Sequence, residues 1–290
     1  MIGHAVDLEA HVAALCAREP FAISYWIKDL VDGRVIQRDG AQPVPAASTR
    51  KVSILMAAFK AVHAGQLDLD ERIVIETRHR EDVASGVLRF MSPGLVITLR
   101  DALVQMIITS DNVATRLTVE RLGLPAINGF CQSVGLTGTV HRVVIPPLGT
   151  PPDHSLDAVT TTTPADQGLL LDLIWRGTGD EAAARRLGSS PALCRDAIEI
   201  MTWQQHRNMI PSLLPFETVV ANKTGRGARG RMDVGLVFRS GRPIFILAAY
   251  SDRVPLIMPD GTPGHAAAFS IIGRLARACW DGIGAELASP

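Results

Sequence analysis

The stretch Ala46–Gln66, "AASTRKVSILMAAFKAVHAGQ", decides how this chain is read. Ser48 stands at the mouth of an apolar run with Lys51 three residues later, and the run carries apolar side chains at three- and four-residue spacing, as a helix does. Two readings are open at this point. Either Ser48 caps the helix and Lys51 solvates its first turn, or a serine and the base that activates it lie one turn apart on one helix face.

Outward from this stretch the pattern changes on both sides. Before it, Phe21–Gln37, "FAISYWIKDLVDGRVIQ", alternates around Asp32-Gly33, which predicts a two-strand hairpin. From Ser48 to about Trp203 the period is helical, through "TLRDALVQMIITS", "NVATRLTVERLG", "PAINGFCQSVG", "PADQGLLLDLIWRG" and "PALCRDAIEIMTW". Thr163-Pro164 and Ser190-Pro191 each put a capping hydroxyl before a proline suited to the first helical position. From Phe216 the strands return, "FETVVANKTG", "RMDVGLVFRS" and "PIFILAAYSD", followed by a closing helix "GHAAAFSIIGRLARACWDGI".

An early hairpin needs further strands, and the late strands can supply them. The expected architecture is an α/β (α+β) single domain, residues 1–290. An antiparallel sheet lobe comes from both chain ends, residues 1–47 and 216–290, and an all-helical lobe, residues 48–215, is inserted between them. Chemistry is expected where the lobes meet, since clefts of that kind are common ligand sites.

Composition narrows the function. The 290 residues are 47% hydrophobic, enough for a substantial core, and 29 basic residues balance 29 acidic ones. No overall field recruits nucleic acid or an anionic membrane, so a small-molecule partner is expected. The N-terminus "MIGHAVDLEAHVAALCAREP" lacks a basic leader region, carries Asp7 and Glu9 early, and reads as an amphipathic helix rather than a secretion signal. No run reaches the roughly 18 apolar residues of a membrane span. Cys16, Cys131, Cys194 and Cys279 lie far apart among apolar neighbours, with no C-x-x-C. They are expected to be buried thiols in a reduced, cytoplasmic setting, with no metal or cofactor bound.

Two further motifs bear on the opening question. Ser110-Asp111-Asn112 stands in "MIITSDNVATRL" and Lys223-Thr224-Gly225 in "VVANKTGRGARG". Ser-x-x-Lys alone occurs by chance in about every second chain of this length, but the three motifs in this order occur about once in a thousand. Together they are the signature of class A β-lactamases and penicillin-binding proteins. Over nearly its whole length the chain resembles the class A β-lactamase-like serine hydrolases.

The resemblance implies a β-lactamase-like fold and individual roles. Ser48 becomes the nucleophile and Lys51 its base. Ser110 returns a proton to the leaving group, Asn112 holds the substrate's amide or carboxyl side chain, and Lys223, Thr224 and Gly225 form the opposite wall, where a cation and a hydroxyl suit a substrate carboxylate. The backbone N–H groups of Ser48 and Arg226 form the oxyanion hole. The base must be neutral, and a lysine near a helix N-terminus, desolvated and beside a second cation, has its charged form disfavoured on all three counts.

One departure matters. The family places a deacylating glutamate in a Glu-x-x-Leu-Asn run on a loop that here reads "HRVVIPPLGTPPDHSLDAVTTTTP". Counting from Arg142 and from Pro164, the glutamate's place falls on Pro147 and the asparagine's on Pro151, and no carboxylate occurs from His141 through Pro152. The expectation is a serine hydrolase acting through acyl-Ser48 on a small amide, lactam or ester, with weak or no classical β-lactamase activity. The alternative is a penicillin-binding or sensor module that acylates and deacylates slowly. Arg226, Arg229 and Arg231 read as an exposed basic hairpin or as selectors of an anionic substrate. His154 reads as a surface-loop residue or as a proton carrier.

Overall fold

The computed structural model describes residues 7–284; the start of the N-terminal stretch and the last six residues lie outside the described part. The chain opens with helix α1 (Leu8–Ala17), capped by Asp7, and the hairpin β1 (Ala22–Asp29) and β2 (Val35–Arg38). A short β3 (Val44–Pro45) leads through a 3-10 turn, Ala47–Arg50, into α2 (Lys51–His63). There follow β4 (Arg72–Val74), α3 (Thr77–Arg80), β5 (Val96–Thr98), α4 (Leu99–Ile108), α5 (Asn112–Leu122) and α6 (Leu124–Ser133). After a long loop come β6 (Thr161–Thr162), α7 (Pro164–Gly177), α8 (Glu181–Arg186) and α9 (Pro191–Thr202). The chain closes with β7 (Val220–Arg226), β8 (Arg231–Arg239), β9 (Arg242–Asp252) and α10 (Gly264–Gly282).

The strands from both ends form one antiparallel sheet, in the order β2-β1-β9-β8-β7. Its central strand, β9, is buried on both faces, and period two divides it cleanly. Phe245, Leu247 and Ala249 join a core with α1 and α10, whereas Ile246, Ala248 and Tyr250 join the larger core shared with the helices. That is why "IFILAAY" is a continuous apolar run rather than an alternating one.

Within the helical part α2 is the central element. Every residue from Lys51 to Phe59 is buried, which matches a helix apolar nearly all round. Lys51 is carried into the interior by its neighbours. The expected caps are present: Thr163 accepts from the Asp166 N–H and Ser190 from the Leu193 N–H. Three sequence readings need correction. The segment 48–215, expected to be all-helical, also holds the short strands β4, β5 and β6, in two-stranded pairings β4-β5 and β3-β6, because short extended stretches of two or three residues leave no periodic signal. β7 starts at Val220, not at Phe216, whose ring is exposed, and α2 starts at Lys51, so Ser48 is no helix cap but part of the preceding 3-10 turn.

Candidate active site

The site is assembled from three segments: the turn before α2, the turn between α4 and α5, and the end of β7. The first is pinned by Thr49, whose hydroxyl donates to the Ala46 carbonyl (2.6 Å) and shares a hydrogen bond with Tyr250 Oη of the sheet (2.8 Å). Ala47, just before the serine, has φ of 42°, a left-handed conformation that costs a non-glycine residue energy. Gly225 lets β7 lie against this turn, since a Cβ there would stand 3.3 Å from the Ser48 nitrogen and closer still to Met232.

The second segment is the α4–α5 turn. Ser110 also sits at positive φ, 58°, between the end of α4 and Asp111. Asp111, not Ser110, caps α5: its carboxylate accepts from the Ala114 N–H at 3.0 Å and from the Leu88 N–H at 2.8 Å. Gly86 makes room for that carboxylate, because any Cβ at its position would overlap Asp111. Strain at Ser110 is thus over-determined by its surroundings, as at many functional turns.

These segments bring the amine ends of two buried lysines to one hydroxyl. Lys51 Nζ donates to the Ser110 carbonyl (2.7 Å), to Ser110 Oγ (3.2 Å) and to Asn112 Oδ1 (2.8 Å). Lys223 Nζ donates to the same Ser110 Oγ (3.1 Å) and to the Thr224 carbonyl (2.7 Å). Burial, then Lys223 and Arg50 as like charges, hold Lys51 well below the ordinary lysine range. Burial likewise lowers Lys223 to about 7, against the opposing pull of Asp233. Ser48 is half-buried and lines the cavity over this network; the contacts of Lys51 run to Ser110 and Asn112 rather than to the Ser48 hydroxyl.

The cavity is about 670 Å³ and is lined by Ser48, Ser110, Asn112, Thr224 and Arg226, together with the loop from Val143 to Thr160. No aspartate or glutamate is among its lining residues. Pro147, where the resemblance puts a glutamate, is one of them. Asn112 presents its Oδ1 to Lys51, which leaves its amide NH₂ as the end available to a ligand.

Three readings of the basic hairpin and loop change. Arg229 is buried, not exposed: it forms a two-pronged pair with Asp252 (2.7 and 2.5 Å) and donates to the His154 carbonyl (2.7 Å). Arg231 is half-buried, lies over the Phe269 ring at 5.4 Å and donates to the carbonyls of Gly227 and Gly230. Only Arg226 of the three is exposed, and it lines the cavity. His154 is a buried, cavity-lining residue whose Nδ1 is paired with the Ser155 carbonyl at 2.9 Å, so Nε2 is its uncommitted nitrogen.

Sequence reasoning passed over Arg50 and His206. Arg50, inside the Ser-x-x-Lys motif, is fully buried without a carboxylate and donates to the carbonyls of Val143 and Val144 (2.5 Å each) and to Thr160 Oγ1 (3.1 Å). Its only sequence signal is a charge in an apolar run. His206 lines the cavity beside Thr109, its ring nitrogen 3.3 Å from that carbonyl, and burial lowers its pKa. Nothing local in "TWQQHRN" marks it.

Residues 7–283 match the model of the Beta-lactamase enzyme family. The chain belongs to that family. Among solved structures it is similar to a β-lactamase from Sphaerobacter thermophilus DSM 20745, with 25% identity, a TM-score of 0.80 and 98% of each chain covered. It is similar also to PBP-A, with 26% identity, a TM-score of 0.79 and 95% of each chain covered. An ancestral class A β-lactamase superposes with a TM-score of 0.78 at 22% identity, over 95% of this chain and 99% of that one, which is a likeness of fold. The fold of the β-lactamase family is therefore the fold of this chain. No described helix is long and apolar enough to cross a membrane.

Proposed function

We propose that this β-lactamase-family hydrolase acts on a small amide, lactam or ester through an acyl-Ser48 intermediate. The observation that carries the reading is the convergence of Lys51 and Lys223 on Ser110 beneath the cavity that Ser48 lines. A neutral Lys51 has two N–H bonds and a lone pair. With its proton gone, its two N–H bonds serve two of its three acceptors and the lone pair is left to take a proton, while Lys223 donates to Ser110 Oγ, which makes a proton path across the site.

In the first half-reaction Ser48 Oγ bonds to the acyl carbon and its proton passes to Lys51. The backbone N–H groups of Ser48 and Arg226 hold the developing oxyanion, an interaction worth several kcal/mol in sites of this kind. As the bond to the leaving nitrogen or oxygen breaks, Ser110 delivers the proton to it and is resupplied from Lys51. In the second half-reaction water adds to the acyl carbon and Ser48 leaves as the hydroxyl, releasing a carboxylic acid.

A second reading is supported by the cavity's lack of a carboxylate: a penicillin-binding or sensor module that acylates and then releases slowly. A structure of a PBP-A mutant, 25% identical with a TM-score of 0.77 and 95% of each chain covered, is an acyl-enzyme complex with penicillin G. Intact mass followed over time with a panel of β-lactams and aryl esters separates the two. A transient adduct on Ser48 with turnover supports the hydrolase, a persistent adduct supports the stalled module, and the absence of any adduct on Ser48 refutes both.

A further inference from the structure

The loop side of the cavity, joined by Val87 from the segment against Asp111, is mostly apolar. Its lining includes Val87, Val143, Pro146, Pro147, Leu148 and Val159, and none of the lining residues between Val143 and Thr160 is Lys, Arg, Asp or Glu. At about 670 Å³ the space has the size of a small-molecule pocket rather than of a slot for a single acetyl group. Val87 and Leu148 are 42% and 53% exposed. Both line the cavity, so a ligand held there takes part of this apolar surface out of water.

This wall is held in place from both sides of the cleft. Arg50, from the turn before α2, takes the carbonyls of Val143 and Val144. Arg229, from the β7–β8 connection, takes the carbonyl of His154 and is itself held by Asp252. Between those two anchors the segment contains Pro146, Pro147, Pro151 and Pro152, whose rings fix φ. A buried cation committed to backbone carbonyls gives nothing to a ligand, so both arginines position the wall and neither recognises charge. A wall fixed before the ligand arrives loses little entropy when the ligand binds.

Resting on the acyl-Ser48 reading, we propose that this cavity is the acyl-group site for an apolar acyl chain of several carbons. The preferred substrates are then esters, thioesters or amides of apolar acids, with the acyl chain against the Val87–Leu148 wall and the carbonyl at Ser48. Each methylene moved from water onto such a wall strengthens binding, whereas a charged acyl group meets no Lys, Arg, Asp or Glu on the loop side.

The test uses 4-nitrophenyl acetate, butanoate and octanoate below their aggregation limits. The acylation rate is read from the burst of 4-nitrophenol and the site from the mass of the Ser48 peptide. Octanoate is expected to acylate Ser48 at least about tenfold faster than acetate. Leu148→Asp should reduce the octanoate-to-acetate ratio at least about fivefold, and Leu148→Ser should reduce it less, both in proteins that fold because this side chain is half in water. Equal rates along the series, or a ratio that neither variant changes, would overturn the apolar acyl site and leave the serine chemistry standing. Failure of every ester to acylate Ser48 would overturn the acyl-Ser48 reading and this site with it.

Discussion

The two walls of the cleft are equipped in opposite ways. On one, α2, the α4–α5 turn and β7 bring the amine ends of two buried lysines to a single hydroxyl. On the other, the loop after His141 offers prolines, aliphatic side chains and one histidine to the cavity, and no carboxylate. The first wall suits the formation of an acyl-enzyme, which needs a base, a proton donor and fixed dipoles. The second presents no carboxylate to activate water for its removal. On the proposed acyl-Ser48 reading, the two halves of the covalent cycle rest on separate segments, so one can be altered while the other is kept.

The largest expected effect breaks the first wall outright. Ser48→Ala should abolish acylation, with a loss of turnover on the order of 10⁴-fold or more. It should melt within a few degrees of the wild type, since Ser48 is half-buried in a 3-10 turn and caps no helix. Full turnover by this variant, measured with any substrate the wild type processes, would remove Ser48 from the mechanism.

Nearly as large is the effect of Lys51→Ala, expected at roughly 10³-fold or more on acylation, because nucleophile and base act as a unit. The decisive measurement is the double variant with Ser48→Ala. Its rate should match that of the slower single variant, and a further drop of similar size would show that the two residues act independently.

Pro147→Glu sharpens the comparison from the other wall. A well-placed general base is worth about 10²–10⁴-fold, and misplacement by about an ångström forfeits roughly a hundredfold. The neighbouring prolines constrain where the new carboxylate can go, so deacylation should rise about tenfold with little change in acylation. Burst amplitude and steady-state rate with a chromogenic cephalosporin report the two steps separately. A wild-type deacylation limb assignable to a loop carboxylate would contradict the count that places Pro147 there.

The smallest effect concerns Arg50, which touches both walls. Only neutral Lys51 takes the proton of Ser48, so acylation should rise with pH through the depressed pKa of Lys51 and level off well below the ordinary lysine range. Arg50 is one of the like charges that hold that pKa down. Arg50→Met therefore should move the ascending limb of the acylation pH profile upward, and a limb that stays in place or moves downward would deny the coupling. The same substitution frees the carbonyls of Val143 and Val144, so the octanoate-to-acetate preference should weaken with it.

By itself the sequence determined the three motifs, the missing carboxylate and the order of the long strands and helices, though not the two- and three-residue strands β3 to β6. Those are local facts: period two or three and four, a cap before a proline, and a tripeptide all lie within a few residues of one another. Tertiary structure alone decided the rest. Arg229 looked like one more exposed charge until Asp252, on another strand, and the His154 carbonyl, on a distant loop, took up its donors. His154 became a cavity residue, and Arg50 a strut, by the same route. Burial and hydrogen-bond partners are set by segments dozens of residues apart, and it is desolvation beside those partners, not the identity of the side chain, that turns Lys51 from a solvated cation into a candidate base.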